Sequence, residues 1–133
     1  MESDTKLFSH CSICHDERTD VFYVTGGFSP KVATAVYSFE MSEKAMEGKL
    51  KLSRLPRMLH ERMWHSTIIH NDYLLATGSH GNITSAYSCE VFQFSKQTWT
   101  ETKGKLQLGR YAHSSVAAGG NIYVIAGLGV TSN

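Results

Sequence analysis

Three stretches of this chain repeat one pattern, and no local motif constrains the fold as strongly. Phe22-Tyr23-Val24-Thr25-Gly26-Gly27, Tyr73-Leu74-Leu75-Ala76-Thr77-Gly78 and Ile122-Tyr123-Val124-Ile125-Ala126-Gly127 are apolar runs that close on glycine. Gly27, Gly78 and Gly127 lie 51 and 49 residues apart. A histidine-led segment precedes each run: His10-Cys11-Ser12-Ile13-Cys14, His65-Ser66-Thr67-Ile68-Ile69 and His113-Ser114-Ser115-Val116-Ala117. Apolar runs this short, rich in β-branched and aromatic residues, read as strands rather than helices.

A strand-built repeat of about fifty residues points to the blades of a β-propeller. Each repeat accommodates up to four strands. The first carries the histidine and small residues suited to a tightly packed inner position, and the second is the apolar run. The third is visible in Val36-Tyr37-Ser38-Phe39 and Val91-Phe92-Gln93-Phe94, where aromatics alternate with other residues at the period of a strand. The fourth is clear once, around Trp99 in Thr98-Trp99-Thr100-Glu101. Loops of unequal length, 28–34 and 79–86, join second strands to third. Segments 53–57 and 103–109 join one repeat to the next, and their polar, turn-rich composition suits connectors. From Glu43 to Glu61 no apolar stripe survives Gly48 and Pro56, so this part reads as a degenerate outer strand plus connector.

With 41% hydrophobic and 19% charged residues in 133, the chain is globular rather than disordered. No apolar run approaches the ~18 residues of a membrane span. The start, Met1 to Lys6, is too polar for a secretory leader. An odd number of cysteines (Cys11, Cys14 and Cys89) fits a reducing compartment, so the expected location is the cytoplasm.

Phe92 and Trp99, then Arg110-Tyr111-Ala112-His113-Ser114 and the glycine-closed run, resemble the kelch motif, and Arg62-Met63-Trp64-His65-Ser66 repeats its opening. The resemblance covers almost the whole chain. It departs from the motif where Thr77-Gly78 and Ala126-Gly127 stand for a diglycine and where the first repeat lacks the tryptophan. The implied fold is all-β: a partial kelch β-propeller of about two four-stranded blades plus half of a third. Blade one spans 8–52, blade two 62–102, and 110–133 supplies the first two strands of blade three. Propellers close with about 4 to 8 blades. The chain is therefore expected to be part of a longer propeller, or the product of a shortened reading frame, with the remaining blades as its partner.

Local motifs add no reaction centre. His10-Cys11-Ser12-Ile13-Cys14-His15 contains one CxxC, but zinc sites generally combine two such pairs. Register with the other repeats matches Cys11 to Ser66 and Ser114, and Cys14 to Ile69 and Ala117, as small packing residues. His10, His65 and His113, one per repeat, read as ties between blades rather than as a catalytic set. No catalytic residue and no metal ligand is assigned.

The basic stretch Lys44, Lys49, Lys51, Arg54, Arg57 and Arg62, against Glu47 and Glu61, carries a local charge of +4. Arg110 occupies the place of Arg62 one repeat later. Arg54, Arg57, Arg62 and Arg110 are the candidates for a rim that binds phosphates, although a solvated face explains the lysines as simply. Arg62 and Arg110 also suit a structural role beside the histidine strand.

Val24-Thr25-Gly26-Gly27-Phe28-Ser29-Pro30, Trp64-His65-Ser66-Thr67 and Ala126-Gly127-Leu128-Gly129-Val130 are similar to the C-terminal kelch region of the leucine carboxyl methyltransferase 2 family, the tRNA wybutosine-synthesising methyltransferases. That resemblance implies an S-adenosylmethionine-dependent catalytic domain outside this chain, a non-catalytic role for the propeller, and tRNA as partner. The rival expectation is a protein-interaction module, such as a ubiquitin-ligase substrate adaptor, gripping a protein or peptide with the loop 79–86.

Overall fold

The computed structural model describes residues 8–42, 47–48 and 50–130. Lys44 and Lys49 of the basic stretch, and residues 131–133 at the end of the third repeat, lie outside them. The architecture is all-β and that of a partial kelch-type propeller. Blade one is the antiparallel sheet β1 (Ser12–Asp16), β2 (Val21–Thr25), β3 (Val36–Glu40) and β4 (Ser53–Leu55), in that order. Blade two repeats it with β5 (Ser66–His70), β6 (Tyr73–Thr77), β7 (Cys89–Gln93) and β8 (Thr98–Glu101). The third unit is the hairpin β10 (Ser114–Ala118) and β11 (Asn121–Ile125), turned by Gly119-Gly120 with both φ positive as a type I′ hairpin turn requires. Beside it, β9 (Gly109–Tyr111) pairs with β12 (Leu128–Val130).

Two boundaries differ from the sequence reading. Ser53–Leu55 is a true fourth strand, paired through Val36↔Leu55, so blade one runs past residue 52 and the connector begins at Pro56. The loop 79–86 gives way at Ile83 to one helical turn, α1 (Ile83–Tyr87), started by Asn82, whose side-chain oxygen accepts from the N–H groups of Thr84 and Ser85. A single turn is legible only through that cap, since no apolar stripe can develop over five residues.

Register brings a further correction. Ser12 pairs with Thr25, Ser66 with Thr77, and Ser114 with Ile125, so these three serines are equivalent. The counterpart of His65 and His113 is therefore Cys11, and His10 aligns with Trp64 and Ala112. All three of the latter have positive φ, between 51° and 58°. Cys14 then matches Ile68 and Val116. Likewise Gly26, Gly78 and Ala126 are equivalent, at φ 59°, 69° and 62°. A slip of one residue reverses which face every side chain occupies. Histidines at both position 10 and position 65 mask that slip in the sequence.

The blades stack through their alternating faces. Tyr23 and Val36 from one side of blade one meet Leu74, Ala76, Phe92 and Trp99 of blade two, with Met58 from the connector, and Leu74 and Phe92 are fully buried. Cys14 packs on this core, and burial pushes its thiol up to about 11, so it sits there as a neutral small hydrophobe. Trp99, the kelch-like tryptophan, donates its indole N–H to the Pro56 carbonyl at 2.9 Å, fastening the outer strand of blade two to the connector.

Polar junctions repeat with the blades. The N–H of Gly27 donates to the Arg62 carbonyl at 2.8 Å, and that of Ser79 to the Arg110 carbonyl at 3.0 Å. His65 Nε2 shares a 2.7 Å hydrogen bond with the Thr25 hydroxyl, and His113 Nε2 a 2.8 Å bond with that of Thr77. Gly26 lies beneath this contact: a Cβ there would stand 2.3 Å from the Arg62 carbonyl oxygen and 2.8 Å from His65 Cε1, and Gly78 repeats the clash.

Arg62 is fully buried inside blade two. Its Nη1 donates to the carbonyls of Gly78, Ser85 and Ser88 at 2.9–3.1 Å, and Nη2 to Ser88 Oγ at 2.7 Å and Glu90 Oε2 at 3.3 Å. Glu90 also accepts from the N–H groups of Leu59 and His60. Burial pushes the Glu90 carboxyl up and the Arg62 guanidinium down, each opposed by the other's charge. The pair survives burial because nearly every lone pair and proton has a partner. Truncating Arg62 to alanine leaves the Glu90 carboxylate buried and unpaired, and should cost ~3–5 kcal/mol in a urea unfolding measurement. Arg57→Ala, at an exposed position, should stay within about 0.5 kcal/mol.

Desolvation, reinforced by the nearby Arg62 charge, pushes His65 down to about 3; desolvation and Arg110 push His113 down to about 4. Both begin from an ordinary value of 6.5, so the unfolded chain takes up protons well above the pH at which the folded one does. Stability from these sites is complete above pH 6.5 and is lost as pH falls toward the lower values. The urea midpoint should drop between about pH 7 and about pH 5.5, and drop less in His65→Gln. A midpoint that is constant over that interval contradicts the assignment.

Candidate functional site

Antiparallel pairing of β1 with β2 and of β5 with β6 places the starts of the inner strands and the ends of the second strands at one end of the sheets. The loops 26–35 and 78–88 and the connectors 56–65 and 102–113 converge there. Among the described residues, six of the twelve exposed large apolar side chains lie at this end. Phe28, Leu59, Trp64, Ile83, Leu108 and Leu128 all occupy its loops or short edge strands. A patch of this kind on loops held by a rigid scaffold is the usual form of a binding surface.

Trp64 sits at its centre, 39% exposed. The His10 ring meets it edge-on at 4.7 Å, Tyr111 stacks nearly parallel at 5.8 Å, and His80 lies tilted at 5.0 Å. His80 and Tyr111 in turn meet edge-to-face at 4.6 Å. These rings come from four segments, and the junctions hold them in place. The Trp64 carbonyl accepts from the Ala112 N–H at 2.7 Å, its own N–H donates to the His10 carbonyl at 3.0 Å, and the His80 N–H donates to the Met63 carbonyl at 3.0 Å. Beside the cluster opens a depression of about 340 Å³, lined by His80, Asn82, Ile83, Tyr111 and Val130. Helix α1 walls it, and Tyr87 at the helix end donates its hydroxyl to the Val130 carbonyl at 3.1 Å.

The four arginines separate. Arg62 has no exposed surface and is committed to Glu90 and the blade-two carbonyls, so it cannot reach a ligand on the rim. Of the two sequence readings of Arg62, a rim ligand and a structural residue beside the histidine strand, its burial favours the second. Arg110 sends Nη1 to the Ala126 carbonyl at 2.8 Å, as Arg62 does to Gly78. Arg54 and Arg57 are exposed, and with Lys31 they line a second depression of about 290 Å³ that also includes Glu61. Arg54 leans over the Tyr37 ring at 5.7 Å. Sequence reasoning missed Trp64, His80 and Tyr111 as one group. The available signal was an aromatic placed directly before the inner strand, where packing needs none.

Comparison with known proteins agrees with the fold. The chain is 29% identical over 115 residues to alpha-scruin of Limulus polyphemus; the match takes in 80% of this chain and 12% of that protein. Among solved structures, that of YjhT superposes with a TM-score of 0.72 at 17% identity, over 90% of this chain and 34% of the other. A fungal alcohol oxidase of the AA5 family, in complex with copper, superposes at 0.67 with 12% identity, over 84% of this chain and 26% of the other. No family model matches the chain. The chain thus spans about an eighth of its curated relative and a quarter to a third of these structures. At such identities the structural likenesses establish the fold alone, and among the described residues no helix is long and apolar enough to cross a membrane.

Proposed function

We propose that this chain is a kelch-type protein-interaction scaffold whose loop end grips a protein segment through an aromatic anchor. The carrying observation is the half-exposed Trp64, framed by His10, His80 and Tyr111 and bordered by an open depression. An exposed tryptophan among exposed leucine and isoleucine side chains has the composition of an interface centre. The similarity to alpha-scruin supports a scaffold role without naming a partner. Peptides selected against the chain from a random library should concentrate on this face, and Trp64→Ala should weaken them by at least about 30-fold, the effect of losing a central anchor. Selected peptides that bind parent and variant equally would remove the reading.

A second reading has its own observation, the exposed Arg54 and Arg57 with Lys31 around one depression. It makes the outer rim a phosphate-binding surface for tRNA, as the likeness to the wybutosine-synthesising methyltransferases implies, with S-adenosylmethionine held in a domain outside this chain. Replacing Arg54 and Arg57 together by glutamate should then weaken tRNA binding and lower the slope of log affinity against log salt by about 2. Equal affinity at every salt concentration excludes RNA from this rim. Arg62 has no place in that experiment, because its substitution tests folding.

A further inference from the structure

The depression beside Trp64 has a polar character of its own. Its walls come from the loop 78–88 of blade two and, in the third unit, from Tyr111, Gly129 and Val130, so both sides belong to neighbouring units of this chain. Ile83 and Val130 supply apolar surface, and no acidic residue lines it. The three segments that build it, 78–88, 102–113 and 128–130, carry Lys103, Lys105 and Arg110 and no aspartate or glutamate.

Three polar side chains line the depression, and each has a hydrogen to donate. Asn82 uses its side-chain oxygen to accept from the N–H groups of Thr84 and Ser85. Its amide nitrogen therefore remains, at an exposed position, and an amide nitrogen only donates. The N–H groups of Thr84 and Ser85 are taken by that cap, so the side chain rather than the helix end is available to a ligand. His80 keeps Nδ1 buried and without a partner among the described residues, whereas Nε2 is not enclosed. A buried N–H without a partner is rarer than a buried acceptor without one, so the proton belongs on Nε2, which donates outward. The Tyr111 hydroxyl, also without a partner among the described residues, is the third donor.

A concave site with convergent donors, positive charge in its walls and no carboxylate selects an acceptor, above all a charged one. Exposed apolar side chains flank it on two sides: Trp64 meets His80 and Tyr111, and Leu108 lies beside Gly129. That arrangement suits a chain that crosses the depression rather than one that ends in it. We infer that the segment gripped at the loop end carries an aspartate or glutamate side chain next to its apolar anchor, and that Asn82, His80 and Tyr111 receive that carboxylate. The inference rests on the anchor proposed above and adds the charge of the partner. Nucleic-acid phosphates share the acceptor chemistry but offer no aliphatic side chain to Ile83 and Leu108.

The test takes the tightest peptide selected against the full chain from a random library, with a counterpart in which its acid is replaced by Asn or Gln, and titrates both by calorimetry. The selected sequence should hold an acid close to an aromatic or branched aliphatic residue, and neutralising that acid should weaken binding about 10-fold. Asn82→Asp keeps a capping oxygen on α1 but replaces the amide donor by a second carboxylate. It should melt close to the parent, weaken the acidic peptide by about 10-fold and leave the neutral counterpart nearly unchanged. Trp64→Ala should weaken both peptides by the same factor. A Trp64-dependent peptide that holds no acid, or loses it at no cost, overturns this inference and leaves the anchor standing. Equal weakening of both peptides by Asn82→Asp does the same, and tRNA binding that Asn82→Asp abolishes would assign the donors to phosphate instead. Peptides indifferent to Trp64→Ala remove the anchor, and this inference with it. The change in the peptide decides the matter even if a variant fails to fold.

Discussion

At each blade junction a backbone carbonyl and an imidazole from the later blade close over a residue of the earlier one that has no side chain to obstruct them. The Arg62 carbonyl and the His65 ring descend on Gly26, and the Arg110 carbonyl and the His113 ring on Gly78. Much of the remaining architecture follows from that contact. The imidazoles must be neutral to be buried, which accounts for their depressed affinity for protons. The segment that carries the arginine passes under the next sheet, where its side chain meets blade-two carbonyls, the Ser88 hydroxyl and Glu90. The positive φ of His10, Trp64 and Ala112 turns the chain from that segment into the inner strand.

Packing and the proposed binding surface consequently use different parts of each repeat. Side chains that alternate along the strands face neighbouring blades and make the core, from Tyr23 and Val36 to Phe92 and Trp99. The chain is released from that duty only in the loops, and it is there that Trp64, His80 and Tyr111 come together from separate segments. A charged residue in such a chain means different things a few positions apart. Arg57 is solvated and Arg62 is interior, five residues along the same connector.

The recurrence of apolar runs was legible, because short β-branched and aromatic segments at a fixed interval leave few alternatives to blades. Thr98–Glu101 and Val36–Glu40 were legible for the same reason. The register was not. His10 mimics His65 in sequence, and only the cross-strand partners Ser12↔Thr25 and Ser66↔Thr77 show that Cys11 holds the equivalent place. An outer strand within 43–61 was legible, but its position at Ser53–Leu55 was not, because three residues beside a proline carry no period. Among the proposed binding arginines, a structural role for Arg62 was one of two readings, but its carboxylate partner Glu90, 28 residues away on another strand, was not legible.

The central claim is that the junction hydrogen bonds, which lie beyond the strand ends, are as integral to the fold as the sheets. Amide hydrogen exchange of Gly27 and Ser79 measures this most directly, since their N–H groups donate to the Arg62 and Arg110 carbonyls. The account predicts protection equal to that of the central amides of β2 and β6. Exchange of both amides at the rate of an exposed loop, with the strands still protected, would contradict it.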